Sequence, residues 1–103
     1  MRVIWQTKAR QGRNQVAKYI QQYFGTNRRD KFLQQVRETT RLLKTHPDLG
    51  SIDPLFADRP KTYRSIIING LSKLVYLIND EVIHIVGFWD TRQEPENQAA
   101  QTE

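Results

Sequence analysis

Apolar residues recur along this chain with two periods, and the switch between them divides it into helical and extended parts. Val3-Ile4-Trp5 reads as a short first strand. Thr7 is placed to cap a helix, because its hydroxyl can accept from an amide in the first turn. Ala9, Val16, Tyr19, Ile20, Tyr23 and Phe24 then keep helical spacing with polar residues between them. Gly25 ends this helix as a C-terminal cap. Thr26 or Asn27 caps a second helix, whose stripe is Phe32, Leu33, Val36, Thr40 and Leu43. Pro47 stops it, since a proline pushes the preceding residue out of the α region. The connection is short, so the two helices should form an antiparallel hairpin. His46 to Lys61 is an irregular segment rich in Pro, Asp and Gly, long enough to carry function or to cover a sheet edge.

The last third switches to strands. Tyr63 to Ile68, Leu71 to Ile78 and Val82 to Trp89 are apolar runs separated by Asn69-Gly70 and Asn79-Asp80-Glu81. Asn-Gly between apolar runs is a strong hairpin signal, because a type I′ turn needs positive φ at both central residues. A two-residue turn there sets Ile68 opposite Leu71, Ile66 opposite Lys73 and Arg64 opposite Val75. Opposed residues share a face. Arg64, Ile66, Ile68, Lys73, Val75, Leu77, His84, Val86 and Phe88 then lie on one side. Tyr63, Ser65, Ile67, Ser72, Leu74, Tyr76, Ile78, Ile83, Ile85 and Trp89 lie on the other, which carries no charge and should pack on the helices. The expected architecture is α+β: an N-terminal strand, then an antiparallel helical hairpin on one face of a twisted, mostly antiparallel four-stranded sheet.

A chain of 103 residues is expected to form one domain, here residues 1–95, followed by a polar, flexible tail at 96–103. There is no apolar run of membrane-spanning length. The opening Met1-Arg2-Val3-Ile4-Trp5-Gln6 is too short and polar for a signal peptide, so a cytoplasmic protein is the expectation. The chain has no cysteine, which excludes disulfides and thiolate metal sites. The net charge of +5 fits an anionic partner such as nucleic acid, the ribosome or an acidic protein, and equally a basic but otherwise ordinary domain.

Charge changes the picture most on the sheet. Arg64, Lys73 and His84 share the face turned away from the helices, and Arg92 follows the last strand. One reading is an anion site in which these groups converge on phosphate. The other is a solvated face whose long stems cover apolar residues. On either, truncating Arg64 or Lys73 should leave the fold intact. His84 is the acid–base candidate on that face, since imidazole titrates near neutrality. His46 is placed to cap helix carbonyls. The acidic residues sit in loops without the spacing of a metal or glycosidase site, and there is no Gly-rich phosphate loop or serine elbow. No cofactor or metal is expected. Tyr63, Tyr76, Phe88 and Trp89 read as core residues, with base stacking as the alternative.

The order of these features resembles the RelE/ParE superfamily, the toxins of type II toxin–antitoxin modules. The resemblance rests on the basic helical hairpin, His46-Pro47-Asp48-Leu49-Gly50, Tyr63-Arg64, Lys73-Leu74-Val75-Tyr76 and Asp90-Thr91-Arg92-Gln93-Glu94-Pro95. It implies the α+β fold above and a cognate antitoxin that wraps the toxin. It also implies one of two targets. RelE-like members cut messenger RNA on the ribosome, using basic residues on the last three strands, and many carry a tyrosine or histidine near the C-terminus. Arg64, Lys73 and Arg92 match those basic positions, but no tyrosine or histidine follows Arg92. His84 would have to supply the acid–base group of a metal-independent endoribonuclease. ParE-like members lack nuclease activity, and the characterised ones poison DNA gyrase. The His-Pro-x-x-Gly loop and the long helices resemble that branch, so a ParE-like growth inhibitor is the first expectation and a RelE-like ribonuclease the second. A basic RNA- or protein-binding module with no toxic action is the third.

Overall fold

The computed structural model describes residues 1–91. The expected order of elements is present, with two short additions. Strand β1 (Arg2–Trp5) leads into helix α1 (Thr7–Phe24), then α2 (Thr26–Thr45). A two-residue strand, β2 (Ser51–Ile52), and a 3-10 turn (Pro54–Phe56) follow. Strands β3 (Arg64–Ile68), β4 (Ser72–Asn79) and β5 (Val82–Asp90) complete the fold. The sheet therefore has five strands rather than four, in the order β1-β5-β4-β3-β2, with β1 parallel to β5 and the other pairs antiparallel. The expected tail beyond residue 95 lies outside the described residues.

Local chemistry explains most element ends. Thr7 does not cap α1 but begins it. The cap position falls on Gln6, whose backbone amide still donates to the Ile85 carbonyl at 2.9 Å, so the chain passes directly from sheet to helix. Gly25, at φ +94°, closes α1 by donating to Gln21 O and opens α2 by accepting from Arg29 N. That backbone conformation favours glycine, and it leaves Thr26 inside the second helix rather than capping it. His46 ends α2 through its backbone amide, which donates to Leu42 O at 2.8 Å, while its ring lies 3.0 Å from the Thr45 hydroxyl. Arg29 of α2 reaches back to the Gln21 side chain at 2.8 Å across the hairpin.

The core lies between the helices and one sheet face. Ala9, Ala17, Phe32, Val36 and Leu43 from the helices meet Ile68, Leu74, Tyr76, Ile83, Ile85 and Phe88 from the strands. Helix α1 approaches β5 so closely at Gly12 that a Cβ there would lie 2.1 Å from the Phe88 carbonyl oxygen. Tyr19, Tyr23 and Phe24 continue the helical stripe in sequence but do not join this core. They are exposed, Tyr23 by 62 %.

Two register features depart from expectation. The Asn69-Gly70 turn forms, with φ of 59° and 69° and a bond from Leu71 N to Ile68 O. Leu71 is then extruded as an extra residue, so Ile68 pairs with Ser72, Ile66 with Leu74 and Arg64 with Tyr76. A one-residue slip turns every β3 side chain to the opposite face. Here it buries Ile68 and half-buries Ile66 beneath the helices, and turns Ser65 and the 53 %-exposed Ile67 away from them. The alternative would have placed a serine in the core. The second departure is a bulge between β4 and β5: Val75 pairs with Gly87 and Tyr76 with Ile85, which leaves Val86 over. Beyond it Phe88 points to the helices and Trp89 to the outer face, the reverse of a regular strand. The Trp89 indole lies over Gly87, where a Cβ would come within 2.0 Å of the ring. Strand β4 itself is oriented as expected, with Leu74 and Tyr76 fully buried. The second turn uses Asp80-Glu81, both at positive φ.

Candidate functional site

The outer face of the sheet is not an open basic surface. The irregular segment folds over it, and Phe56, Tyr63, Val75, Leu77 and Trp89 form a second apolar cluster. The Phe56 and Tyr63 rings stack at 4.9 Å. Lys73 lies within this cover, its ammonium 2.5 Å from Asp53 Oδ2, with the two side chains only 12 % and 3 % exposed. The other Asp53 oxygen accepts from Leu55 N at 3.0 Å and so caps the 3-10 turn. Lys73 thus ties the loop to the sheet. The expectation of a solvated Lys73 does not hold, and its truncation is expected to strand a buried carboxylate.

Arg64 is on the other side of the sheet. The register slip carries it to the face of Tyr76, and its guanidinium donates to Gly50 O at 2.7 Å. The Tyr76 hydroxyl donates to Pro47 O at 2.7 Å and accepts from Gly50 N at 2.9 Å. Arg64 and Tyr76 together hold the His46–Gly50 loop against the sheet. Gly50 has no room for a side chain, since a Cβ would sit 2.8 Å from both Ser65 O and the Tyr76 ring. Burial pushes the Tyr76 phenol above its ordinary range and Asp48 adds to this, while the Gly50 amide and the Arg64 charge pull the other way.

His84 does face outward, opposite Leu77. It lines a cavity of about 590 Å³ between the start of α1, the 59–63 loop and the β4–β5 hairpin. Lys8, Arg59 and Lys61 line the same cavity. The expected convergence of Arg64, Lys73 and His84 is therefore absent: one lies behind the sheet, one is in a buried ion pair, and one is in a separate cavity. Arg92 lies outside the described residues. Tyr63, Tyr76, Phe88 and Trp89 are buried, as core residues are. Among the described residues no group of His, Asp and Glu is placed to hold a metal. The gathering of Lys8, Arg59 and Lys61 around His84 was not legible in the sequence, because two of them sit on a loop whose path no periodicity defines.

A third surface feature is the tip of the helical hairpin. Tyr19 and Tyr23 pack at 4.7 Å between ring centres, Phe24 adjoins Tyr19, and Arg28 lies over Phe24. A groove of about 480 Å³ runs beside it, between α1 and the end of β5, and reaches Tyr19, Phe88 and Trp89.

Residues 3–95 match the family described as the ParE toxin of type II toxin–antitoxin system, parDE. The chain belongs to the ParE toxin family. Its fold is similar to that of a chain from the chromosomal ParDE toxin–antitoxin system of P. aeruginosa, with a TM-score of 0.71 at 16 % identity over 87 % of this chain and 95 % of that one. Among curated proteins, none matches the sequence. A family of toxins that belong to toxin–antitoxin systems implies an antitoxin partner for this chain. Among the described residues no helix is long and apolar enough to cross a membrane.

Proposed function

We propose that this ParE-family chain arrests bacterial growth by acting on DNA gyrase in the cytoplasm, without cutting RNA, and that an acidic antitoxin neutralises it. The observation that carries the reading is the fate of the strand cations. Metal-independent cleavage of RNA needs cations gathered where charge develops on the scissile phosphate, and a base at the 2′-hydroxyl. The ribonuclease alternative assigned those roles to Arg64, Lys73, Arg92 and His84. Of these, Lys73 is consumed by Asp53 and Arg64 by the Gly50 carbonyl on the opposite face. The family match supports the same branch.

The antitoxin expectation rests on two surfaces. The exposed aromatic tip of the hairpin is larger than the singly scattered apolar residues of an ordinary surface. The basic residues around it favour an acidic partner, and part of that binding should weaken with salt. Expression of the chain alone in bacteria, and together with its antitoxin, tests the proposal. Growth arrest relieved by the antitoxin, an SOS response and intact messenger RNA are expected. Cleaved messenger RNA would establish the RelE-like alternative instead. Normal growth on expression of soluble, folded protein would leave a non-toxic binding module.

A further inference from the structure

We propose that Asn69, in the turn between β3 and β4, is a site of spontaneous deamidation, and that its conversion to isoaspartate loosens this hairpin as the toxin ages. The proposal concerns the chain's own chemistry and does not depend on the gyrase reading. Deamidation needs an asparagine whose side-chain carbon can be reached by the amide nitrogen of the next residue. Glycine at that next position obstructs the approach least, because it has no side chain. Asn69 is the one asparagine in the chain that precedes a glycine. Asn69 and Gly70 are both exposed, and a Cβ built on Gly70 would meet nothing within 4 Å. Among the described residues no hydrogen bond engages the Asn69 carboxamide or the Gly70 N–H. The turn is closed by Leu71 N donating to Ile68 O at 3.2 Å, the long end of the usual range. The Thr91 hydroxyl adds only a 3.5 Å contact to Gly70 O, and Leu71 is 59 % exposed. Little packing therefore opposes the rotation about ψ of Asn69 that brings its Cγ to the Gly70 nitrogen.

The step is a ring closure followed by hydrolysis. Hydroxide removes the Gly70 amide proton, and the nitrogen attacks Asn69 Cγ. A bond forms between them, the bond from Cγ to Nδ2 breaks, and ammonia leaves with a proton from water. Water then opens the resulting succinimide. Cleavage at Cγ gives aspartate at position 69, and cleavage at the backbone carbonyl gives isoaspartate. The other asparagines of the described residues are placed worse. Asn14 and Asn27 lie inside α1 and α2, where helical backbone holds the next amide away from the side-chain carbon, and Arg13 also donates to Asn14 Oδ1 at 3.2 Å. Asn79 precedes Asp80, whose side chain and negative charge oppose attack by its own amide. The two products differ in what they do to the fold. Aspartate is tolerated at positive φ and keeps the turn. Isoaspartate carries the main chain through the side-chain methylene, which adds a backbone atom to a turn that uses φ of 59° and 69° at its two residues. The bond from Leu71 to Ile68 is then lost. Ile68, 5 % exposed, is the next residue of β3, so the damage reaches the core at once.

The test is to age the purified full chain in neutral and mildly alkaline buffer and to follow it by cation exchange, peptide mass spectrometry and enzymatic methylation of isoaspartate. A less basic form should accumulate, faster at the higher pH, because the attacking amide must lose its proton. The mass change from amide to acid should fall in the tryptic peptide Ser65 to Lys73, with isoaspartate in excess of aspartate. Asn69→Gly, which leaves a Gly-Gly pair suited to the same turn, should abolish the change. The isoaspartate form, separated from fresh protein, should melt about 4–8 °C lower, the shift expected for loss of about one net hydrogen bond in a domain of this size. Asn69→Asp should melt with the parent. No less basic form on ageing, earlier conversion at Asn14, Asn27, Asn79 or Asn97, conversion that persists in Asn69→Gly, or an isoaspartate form as stable as fresh protein would overturn the proposal.

Discussion

Replacing Lys73 by methionine should destabilise the protein severely, although the residue is a lysine in a strand on the sheet face turned away from the helices. At 2.5 Å from Asp53, the attraction between unit charges is about 6–7 kcal/mol for an effective dielectric of 20. Desolvation of the two ions offsets most of this, at several kcal/mol each. The intact pair therefore contributes little net stability. Breaking it is different, because Asp53 stays 3 % exposed with its charge uncompensated. The expected cost of Lys73→Met is about 3–5 kcal/mol. A domain of this size has a total stability of about 5–15 kcal/mol, so the melting temperature should fall by about 15–30 °C. Asp53→Asn keeps an acceptor for Leu55 N and removes the orphaned charge. Combined with Lys73→Met, it should recover more than half of the loss, a coupling of roughly 2–3 kcal/mol. Urea unfolding followed by tryptophan fluorescence measures all four proteins, since Trp89 belongs to the cluster that the pair anchors. Lys73→Met within about 0.5 kcal/mol of the parent, or a double variant no better than the single, would refute the buried pair and the loop placement that depends on it.

Leu74→Ala should cost about 2–5 kcal/mol in the same assay, because Leu74 is wholly buried between sheet and helices. Tyr76→Phe should cost about 1–3 kcal/mol, since the Gly50 amide and Pro47 carbonyl lose their shared partner. The raised Tyr76 pKa gives a sign: its contribution is complete below the unfolded tyrosine value of about 10 and is lost as pH rises through the higher folded value. A tyrosinate absorbance titration should show a late-ionising component that Tyr76→Phe removes; its persistence would contradict the assignment. Arg64→Gln should cost about 1.5–3 kcal/mol and raise hydrogen exchange at Asp48 to Ser51, because one charged hydrogen bond holds that loop. Unchanged exchange there would contradict the role given to Arg64.

The sequence carried the elements well and the faces unevenly. Helix and strand positions followed from periodicity, Gly25, Pro47 and the two turns, and β4 was oriented correctly because Leu74 and Tyr76 alternate with Lys73 and Val75. Strand β3 was turned over because its orientation was inferred from the turn. An Asn-Gly turn fixes the two residues it contains, but not whether the next one enters the ladder, and here Leu71 does not. The alternation of Ile66 and Ile68 against Ser65 held the contrary signal, and burial outweighed the turn rule. The bulge at Val86 had no marker beyond Gly87, whose role appears only when the Trp89 ring lies across it. The outer face could not be read from the strands at all. Its cover comes from Asp53 and Phe56, brought in from a segment without period, and that cover decides that Lys73 is a tie rather than an exposed cation. The exposure of Tyr19, Tyr23 and Phe24 was missed because helical spacing alone does not say which apolar positions meet the sheet: Val16 and Ile20 pack on the core and these three do not.

The most direct test of the functional account sets purified toxin against purified gyrase and translating ribosomes in parallel. The account predicts loss of DNA supercoiling or accumulation of cleaved DNA in the gyrase reaction, reversed by antitoxin, with messenger RNA intact in the ribosome reaction at the same toxin concentration. Unimpaired gyrase beside ribosome-dependent cleavage of messenger RNA would contradict it.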